Sequence, residues 1–89
     1  MQVSFSPQFI RLFRKLPSAL QEEALEKIEV FKDASNHQQL KVHKLKGELK
    51  NCYSFSVNYQ YRILFLYFDK RKTEAVLLTV GDHDVYRGQ

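Results

Sequence analysis

Residues 51–68, which read Asn-Cys-Tyr-Ser-Phe-Ser-Val-Asn-Tyr-Gln-Tyr-Arg-Ile-Leu-Phe-Leu-Tyr-Phe, decide the fold of this 89-residue chain. This is its most apolar and aromatic segment, and it is rich in the β-branched and aromatic residues that strands favour. A short turn at residues 58–60 would divide it into two antiparallel strands, a β-hairpin. Arg62 departs from the apolar pattern, because a guanidinium in such a strand needs a polar partner or an anionic ligand.

The register of this hairpin decides which side chains share a face. With a two-residue turn, Val57 would pair with Arg62, and both faces would mix polar and apolar side chains. A shift of one residue instead produces one apolar face, made of Phe55, Val57, Ile63 and Phe65. The same shift places Arg62 beside Ser54 and Ser56. The second register is physically better, and we predict it.

Two amphipathic helices are predicted before the hairpin. Ser6 and Pro7 are residue types that begin a helix, and Pro17 ends it. Ser18 and Gln21 have the spacing of a capping box, which predicts the start of a second helix. The apolar stripe of that helix consists of Leu20, Ala24, Ile28 and Phe31.

Two further strands complete the predicted fold. Residues 2–5 alternate polar and apolar side chains as a strand does, and residues 74–80 form a strand after a charged turn at residues 69–72. The resulting order is β-α-α-β-β-β. It predicts an α+β fold in which the N-terminal strand and a helical hairpin pack on a mainly antiparallel sheet. Residues 1–89 are expected to form a single domain, since the chain is too short for two.

Charge and cysteine content limit the kinds of partner and compartment. Lys and Arg outnumber Asp and Glu by 14 to 10, for a net charge of +4 and a pI near 9.3. Such a surface suits a polyanionic or acidic partner, and equally an ordinary solvated surface. Cys52 is the only cysteine, which excludes an intramolecular disulfide. No apolar run reaches membrane-spanning length and the first residues lack signal-peptide anatomy, so we predict a cytoplasmic protein with no membrane partner.

Three side chains near one end of the predicted sheet have the chemistry of RNA cleavage. If the hairpin and the last strand are neighbours, Arg62, His83 and Tyr86 converge at one edge. Arginine binds a phosphate with two hydrogen bonds, and histidine transfers protons near neutral pH. Tyrosine stacks on a base or donates a proton. Together these groups would serve the attack of a 2′-hydroxyl on the neighbouring phosphate.

Each of these residues also has a purely structural interpretation. Arg62 would be explained by an ion pair with an acidic side chain, at Glu48, Asp82 or Asp84. His83 would be an ordinary turn residue. A metal site at residues 82–84 is disfavoured, because adjacent side chains point in different directions.

A basic segment, residues 41–50, precedes the hairpin. Its positively charged side chains, with the histidine counted when protonated, are Lys41, His43, Lys44, Lys46 and Lys50. They would hold the phosphate backbone of RNA, or they would belong to a solvated loop. Val42, Leu45 and Leu49 would anchor the segment to the body of the domain.

Four segments, taken in this order, resemble the RelE/ParE superfamily of bacterial type II toxins over almost the whole chain. They are His-Lys-Leu-Lys-Gly at 43–47, Tyr-Ser-Phe-Ser-Val at 53–57, Tyr-Arg-Ile-Leu-Phe at 61–65 and Val-Gly-Asp-His-Asp-Val-Tyr at 80–86. The first and last look most like the YafQ and RelE/StbE branch. The resemblance implies an endonuclease that acts on mRNA at the ribosome without a metal or other cofactor. It also implies a cognate antitoxin that neutralises the toxin in a hetero-oligomeric complex.

The resemblance further implies roles for single residues. Arg62 matches the strand arginine that contacts the scissile phosphate, His83 a catalytic Arg or His, and Tyr86 the aromatic residue that orients the nucleotide. His43 matches a catalytic histidine of the YafQ-like branch. The predicted RNA-binding set consists of Lys41, Lys44, Lys46, Lys50, Ser54 and Ser56.

Two serines depart from the pattern of the superfamily. RelE itself carries lysines with base and phosphate roles at the positions of Ser54 and Ser56, so those functions would pass to His43, His83 and Lys46. Two other functions are compatible with the resemblance. One is a ParE-like inhibitor that binds DNA gyrase and cuts no RNA, and the other is an inactive member that only binds its antitoxin.

Overall fold

Two helices and five strands make up the parts of the chain that the computed structural model describes, residues 1–47 and 51–82. In chain order they are β1 (Gln2–Phe5), α1 (Pro7–Arg14), α2 (Ser18–Phe31), β2 (His43–Lys44), β3 (Tyr53–Ser56), β4 (Tyr61–Tyr67) and β5 (Glu74–Asp82). A short 3-10 helix, Ala34–Asn36, follows α2. None of the helices in these ranges is long and apolar enough to cross a membrane.

The strands form one sheet in the order β1-β5-β4-β3-β2. β1 runs parallel to β5, and the other neighbouring pairs are antiparallel. The α+β fold and the mainly antiparallel sheet are therefore confirmed. β2 is an additional edge strand that the sequence pattern did not predict, since two residues are too few to show an alternation.

Aromatic rings fill the core between the helices and one face of the sheet. Phe31 of α2 stacks on Phe55 with ring centroids 4.4 Å apart and meets Phe65 edge-on at 4.7 Å. The predicted apolar face of the hairpin is confirmed, because all four of its side chains are at most 1% exposed: Phe55, Val57, Ile63 and Phe65.

The predicted register of the hairpin is also confirmed. Ser56 pairs with Arg62 across β3 and β4, one residue away from the pairing of a two-residue turn. This register results from a three-residue turn that Asn58 stabilises. The Oδ1 atom of Asn58 accepts hydrogen bonds from the backbone N–H groups of Gln60 and Tyr61, both at 2.8 Å.

The junction between the helices differs from the prediction, because Ser18 and Gln21 do not form a capping box. Pro17 occupies the N-cap of α2, and no side chain caps it. The amide of Gln21 instead donates back to the carbonyls of Phe13 and Leu16, at 3.1 and 3.0 Å. Carbonyls at a helix end lack partners within the helix, so Gln21 closes α1 rather than opening α2.

Ser6 joins the start of α1 to an irregularity in β5. Its Oγ accepts a hydrogen bond from the N–H of Phe9 at 3.0 Å, as an N-cap does, and donates to the carbonyl of Leu78 at 2.9 Å. Leu78 is an extra residue in β5, because Leu64 pairs with Thr79 while the next residue of β4 pairs with Leu77. Ser6 therefore holds this β-bulge against the helix.

Ser6→Ala should lower the free energy of unfolding by about 1–2 kcal/mol, because it removes the cap and leaves a bulge carbonyl without its donor. Ser18→Ala is the matched control, since no side chain caps α2, and should change it by no more than about 0.5 kcal/mol. Urea unfolding followed by circular dichroism would measure both variants. Equal losses would contradict the double role of Ser6.

Candidate nucleic-acid interface

A basic groove lies at the turn of the β3–β4 hairpin and has a volume of about 290 Å³. Three cationic side chains line it: Lys27 from α2, Lys41 from the loop before β2, and Arg62 from β4. Its other lining residues are Gln39, Leu40, Ser56, Val57, Asn58 and Tyr59. We call it the Arg62 groove. Three cations around one groove suit a polyanionic ligand.

The sequence pattern predicted Arg62, Lys41 and Ser56 at this place but missed Lys27. Lys27 is half-buried and directly precedes the buried Ile28 on α2. Nothing in its sequence context separates it from other lysines on amphipathic helices. Only the packing of α2 over the hairpin turn brings it to the groove.

Arg62 is half-buried, and its own hairpin positions it. Its Nη1 donates a hydrogen bond to the carbonyl of Asn58 at 2.8 Å. Asp82, one of the acidic partners considered for Arg62, pairs with Tyr61 across β4 and β5. The other two acidic partners considered for Arg62, Glu48 and Asp84, lie outside the described residues. A positioned guanidinium that is bound to a neutral carbonyl retains its charge for an anionic ligand.

The two serines opposite β4 have different environments. Ser56 pairs with Arg62 and lines the groove. Ser54 is fully buried, and its Oγ has no hydrogen-bond partner. In this conformation the Ser54 hydroxyl has no exposed surface with which to contact RNA.

Ser54→Ala should leave the free energy of unfolding unchanged or raise it by about 1 kcal/mol. The buried hydroxyl has lost its hydrogen bonds to water and gained none in return, so its removal relieves a desolvation cost. Thermal unfolding by calorimetry would test this. A loss above about 1 kcal/mol, the range expected for a hydrogen-bonded buried hydroxyl, would contradict it.

His43 lies on the same face of the sheet as Arg62. It pairs with Ser54, and Ser54 pairs with Leu64, which is two residues from Arg62 on β4. Strand spacing of about 4.8 Å and a rise of about 3.3 Å per residue place the two α-carbons roughly 12 Å apart. The His43 side chain is exposed, and its Nδ1 is 2.9 Å from the carbonyl of Lys41.

That contact fixes which nitrogen of a neutral His43 ring carries the proton. A carbonyl only accepts hydrogen bonds, so in the neutral form Nδ1 is protonated and Nε2 has the lone pair. The arrangement leaves Nε2 able to accept a proton.

Lys44 lies on the opposite face from His43 and does not join the Arg62 groove. It pairs with Tyr53, whose partner Phe65 belongs to the core under the helices. Lys44 instead lines a second groove of about 220 Å³. The sheet therefore divides the predicted basic set between two faces.

The remaining predicted site residues are placed only in part. Lys46 is exposed beside the buried Leu45. Lys50, His83 and Tyr86 lie outside the described residues. β5 is described as far as Asp82, which pairs with Tyr61 next to Arg62. The condition set for convergence of the predicted residues, that β4 and β5 are neighbours, is therefore met.

An apolar groove lies on another side of the domain, between β1 and the helices. Three large apolar side chains in it are exposed: Phe5 by 42%, Ile10 by 39% and Leu25 by 50%. A basic rim borders it and consists of Arg11, Arg14 and Lys15. Apolar surface gathered in this way is typical of a contact with another protein.

The fold is that of a family of toxins from toxin–antitoxin systems. A family model, described as the HigB-like toxin, the RelE-like toxin of type II toxin–antitoxin system HigB, matches residues 8–82. The chain belongs to this family, a RelE-like toxin family of type II toxin–antitoxin systems. The superfamily predicted from the sequence is confirmed, while its placement in the YafQ and RelE/StbE branch stays a prediction. No curated protein matches the chain.

Solved structures of toxin–antitoxin complexes are similar to this chain. One chain of the RelBE2 complex from Mycobacterium tuberculosis is 27% identical, with a TM-score of 0.73 over 92% of this chain and 96% of that one. The archaeal RelE–RelB complex from Pyrococcus horikoshii gives 18% identity and a TM-score of 0.69, over 91% and 92% of the two chains. The YoeB–YefM complex from Staphylococcus aureus gives 20% identity and a TM-score of 0.68, over 93% and 97%.

Proposed function

We propose that this toxin is an endoribonuclease that cleaves mRNA at the ribosome in the cytoplasm, without a metal ion. The observation that carries the proposal is the Arg62 groove. There a guanidinium that the Asn58 carbonyl positions lies beside Lys27 and Lys41. A scissile phosphate bound in it would gain charge-assisted hydrogen bonds as its negative charge grows in the phosphorane.

The proposed reaction uses the substrate's own 2′-hydroxyl as nucleophile. His43 Nε2 accepts the hydroxyl proton, the 2′-oxygen bonds to phosphorus, and the bond from phosphorus to the 5′-oxygen breaks. His83 donates a proton to the departing 5′-oxygen, and Tyr86 holds the neighbouring base. The products are a 2′,3′-cyclic phosphate and a free 5′-hydroxyl, so no water or metal enters the step.

RNA binding would extend beyond the reacting phosphate. Lys27 and Lys41 of the groove would contact the adjacent backbone, and Ser56 would donate its hydroxyl to a phosphate oxygen. Lys46 and Lys50 would contact RNA further along the basic segment. The affinity of such contacts falls with salt, since each bound phosphate releases counterions.

Mapping of mRNA ends after induced expression tests this function. Primer extension should show new 5′ ends within translated frames, and blocking translation initiation on the mapped message should remove them. The control is the Arg62→Ala chain at the same expression level. An SOS response with intact mRNA would instead support an inhibitor of DNA gyrase, and normal growth would support an inactive antitoxin-binding protein.

We further propose that the cognate antitoxin covers the apolar groove with an amphipathic segment bearing acidic side chains. The apolar floor at Phe5, Ile10 and Leu25 would bury its apolar face, and the basic rim complements its charge. The toxins in the similar solved structures are bound to antitoxins.

Ile10→Asp combined with Leu25→Asp should weaken binding of the antitoxin at least about tenfold, because it places charge in the apolar contact. Calorimetric titration with the antitoxin encoded beside the toxin gene would measure the change. Glu22→Lys combined with Glu26→Lys, at exposed positions of α2 that line none of the three grooves, is the control. Unchanged affinity of the aspartate variant would place the antitoxin elsewhere.

A further inference from the structure

We propose that the second groove, which contains Lys44, is a separate binding site for single-stranded RNA. Its lining residues are Lys44, Asn51, Tyr53, Tyr67, Asp69, Lys70 and Lys72. One base would stack on the tyrosine rings, and the flanking phosphates would bind the lysines. That the RNA is the toxin's mRNA substrate rests on the function proposed above, whereas the binding chemistry of the groove does not.

Two tyrosines form an aromatic corner in this groove. The rings of Tyr53 and Tyr67 have centroids 5.0 Å apart and an interplanar angle of 72°. The ammonium of Lys72 sits over both rings, 5.6 and 5.4 Å from their centroids. The Lys72 ammonium occupies the place near both rings. A flat base that displaced it would stack on one ring and leave Lys72 to bind a phosphate.

The charge of the groove is positive although it contains a carboxylate. Asp69 accepts a hydrogen bond from the hydroxyl of Thr73 and further ones from the N–H groups of Thr73, at 2.9 Å, and Glu74, at 3.3 Å. The Thr73 hydroxyl, followed by these backbone groups, holds the pKa of Asp69 below its usual value. The hydrogen bonds of this carboxylate stabilise the turn after β4. The three lysines of the groove are therefore left to bind the ligand.

Tyr67 is suited to stacking on a base beside a phosphate because its phenol stays uncharged. Burial, and then the neighbouring Tyr53, raise the pKa of Tyr67 above its usual value. A neutral phenol adds no repulsion against a nearby phosphate. Base stacking on such rings tolerates any base, so this groove would bind single strands with little sequence preference.

This site is distinct from the Arg62 groove. The Arg62 groove lies at the turn that precedes β4, and the second groove lies at the turn that follows it. The strand between them, Tyr61–Tyr67, spans roughly 20 Å at about 3.3 Å per residue. RNA held here would be several nucleotides from the scissile phosphate, where it adds affinity and does no chemistry.

An acidic peptide is the main competing ligand, and the aromatic corner argues against it. Carboxylates would bind the lysines but would not stack on the two tyrosine rings that Lys72 covers. A strand of RNA satisfies both features, because each nucleotide supplies one phosphate and one aromatic base.

The test measures binding of the purified toxin to a short 2′-O-methyl oligoribonucleotide by fluorescence anisotropy. This strand cannot be cleaved by 2′-hydroxyl attack, so the result does not depend on the endonuclease function. Lys70→Gln combined with Lys72→Gln should weaken binding about tenfold and reduce the slope of log affinity against log salt by about 1.4, since each phosphate in a single strand contributes about 0.7. Arg11→Gln combined with Lys15→Gln removes the same charge from the apolar groove and is the control.

Any of three results would overturn the proposal. Equal weakening by the two double variants would mean that only overall charge attracts the strand. Equal binding of an abasic strand with the same number of phosphates, or of polyglutamate, would mean that the tyrosines bind no base. If the endonuclease function alone is wrong, the lysine-dependent binding persists while mRNA stays intact; if this site alone is wrong, the cleavage still depends on Arg62.

Discussion

Replacing Arg62 with alanine should reduce mRNA cleavage on the order of a hundredfold and abolish growth arrest on induction, because it removes the fixed donor that stabilises charge on the phosphorane. The variant should remain folded, since the half-buried side chain donates to backbone carbonyls and takes no part in the core cluster. Single-turnover cleavage of a message on programmed ribosomes would measure the rate. Thermal unfolding of the same preparation would show whether the fold is kept.

Two further variants make this experiment specific. Arg62→Lys keeps the charge without the two-pronged geometry, so it should recover only part of the rate. Arg71→Ala removes an exposed arginine that lines none of the three grooves, and it should cleave like the unchanged toxin. Full activity of Arg62→Ala would show that Arg62 is not part of the site. Equal losses of cleavage rate in Arg62→Ala and Arg71→Ala would show that Arg62 contributes only to the overall positive charge.

Phe31→Ala should come close to unfolding the domain. Phe31 has no exposed surface and packs against three rings, those of His37, Phe55 and Phe65. Loss of such a side chain costs about 3–5 kcal/mol, against a total stability of about 4–13 kcal/mol for a domain of this length. The melting temperature should therefore fall by at least about 12 °C.

Phe68→Ala is the matched control for Phe31→Ala, since the same deletion is made at a ring that is 60% exposed just after β4. It should change the free energy of unfolding by no more than about 0.5 kcal/mol. Calorimetry on both variants would compare them directly. A small effect at Phe31 would mean that the core collapses onto the vacated space.

The parts of the fold that follow from local periodicity could be predicted from the sequence. Phe55 and Ile63 had to share a face because strand side chains alternate with a period of two, and only one register kept polar groups out of that face. The α+β order followed from the point in the sequence where apolar residues at helical spacing are replaced by the composition and alternation of strands. The same register placed Arg62 opposite Ser56, which is why part of the Arg62 groove was predictable.

What could not be predicted depends on packing between distant segments. Gln21 has the sequence spacing of a capping residue, yet its amide serves the carbonyls of the preceding helix, because the helices meet closely enough for it to turn back. Lys27 enters the Arg62 groove only through the placement of α2. Lys44 leaves that groove because one residue separates it from His43 in a strand, and strand neighbours face opposite ways.

The bulge at Leu78 exchanges the inward-facing and outward-facing positions in the rest of β5. Counting by twos from Ala75 and Leu77 would bring Thr79 and Gly81 under the helices, whereas the extra residue turns Val80 inward and sets Gly81 opposite Arg62. A glycine there brings no β-carbon close to the guanidinium. Through its hydrogen bond to the Leu78 carbonyl, the hydroxyl of Ser6 thus helps decide which residues of β5 lie on the same face of the sheet as Arg62. A relative that gained or lost one residue in this strand would have nearly the same strand composition, but the side chains beyond that point would lie on the opposite faces of the sheet.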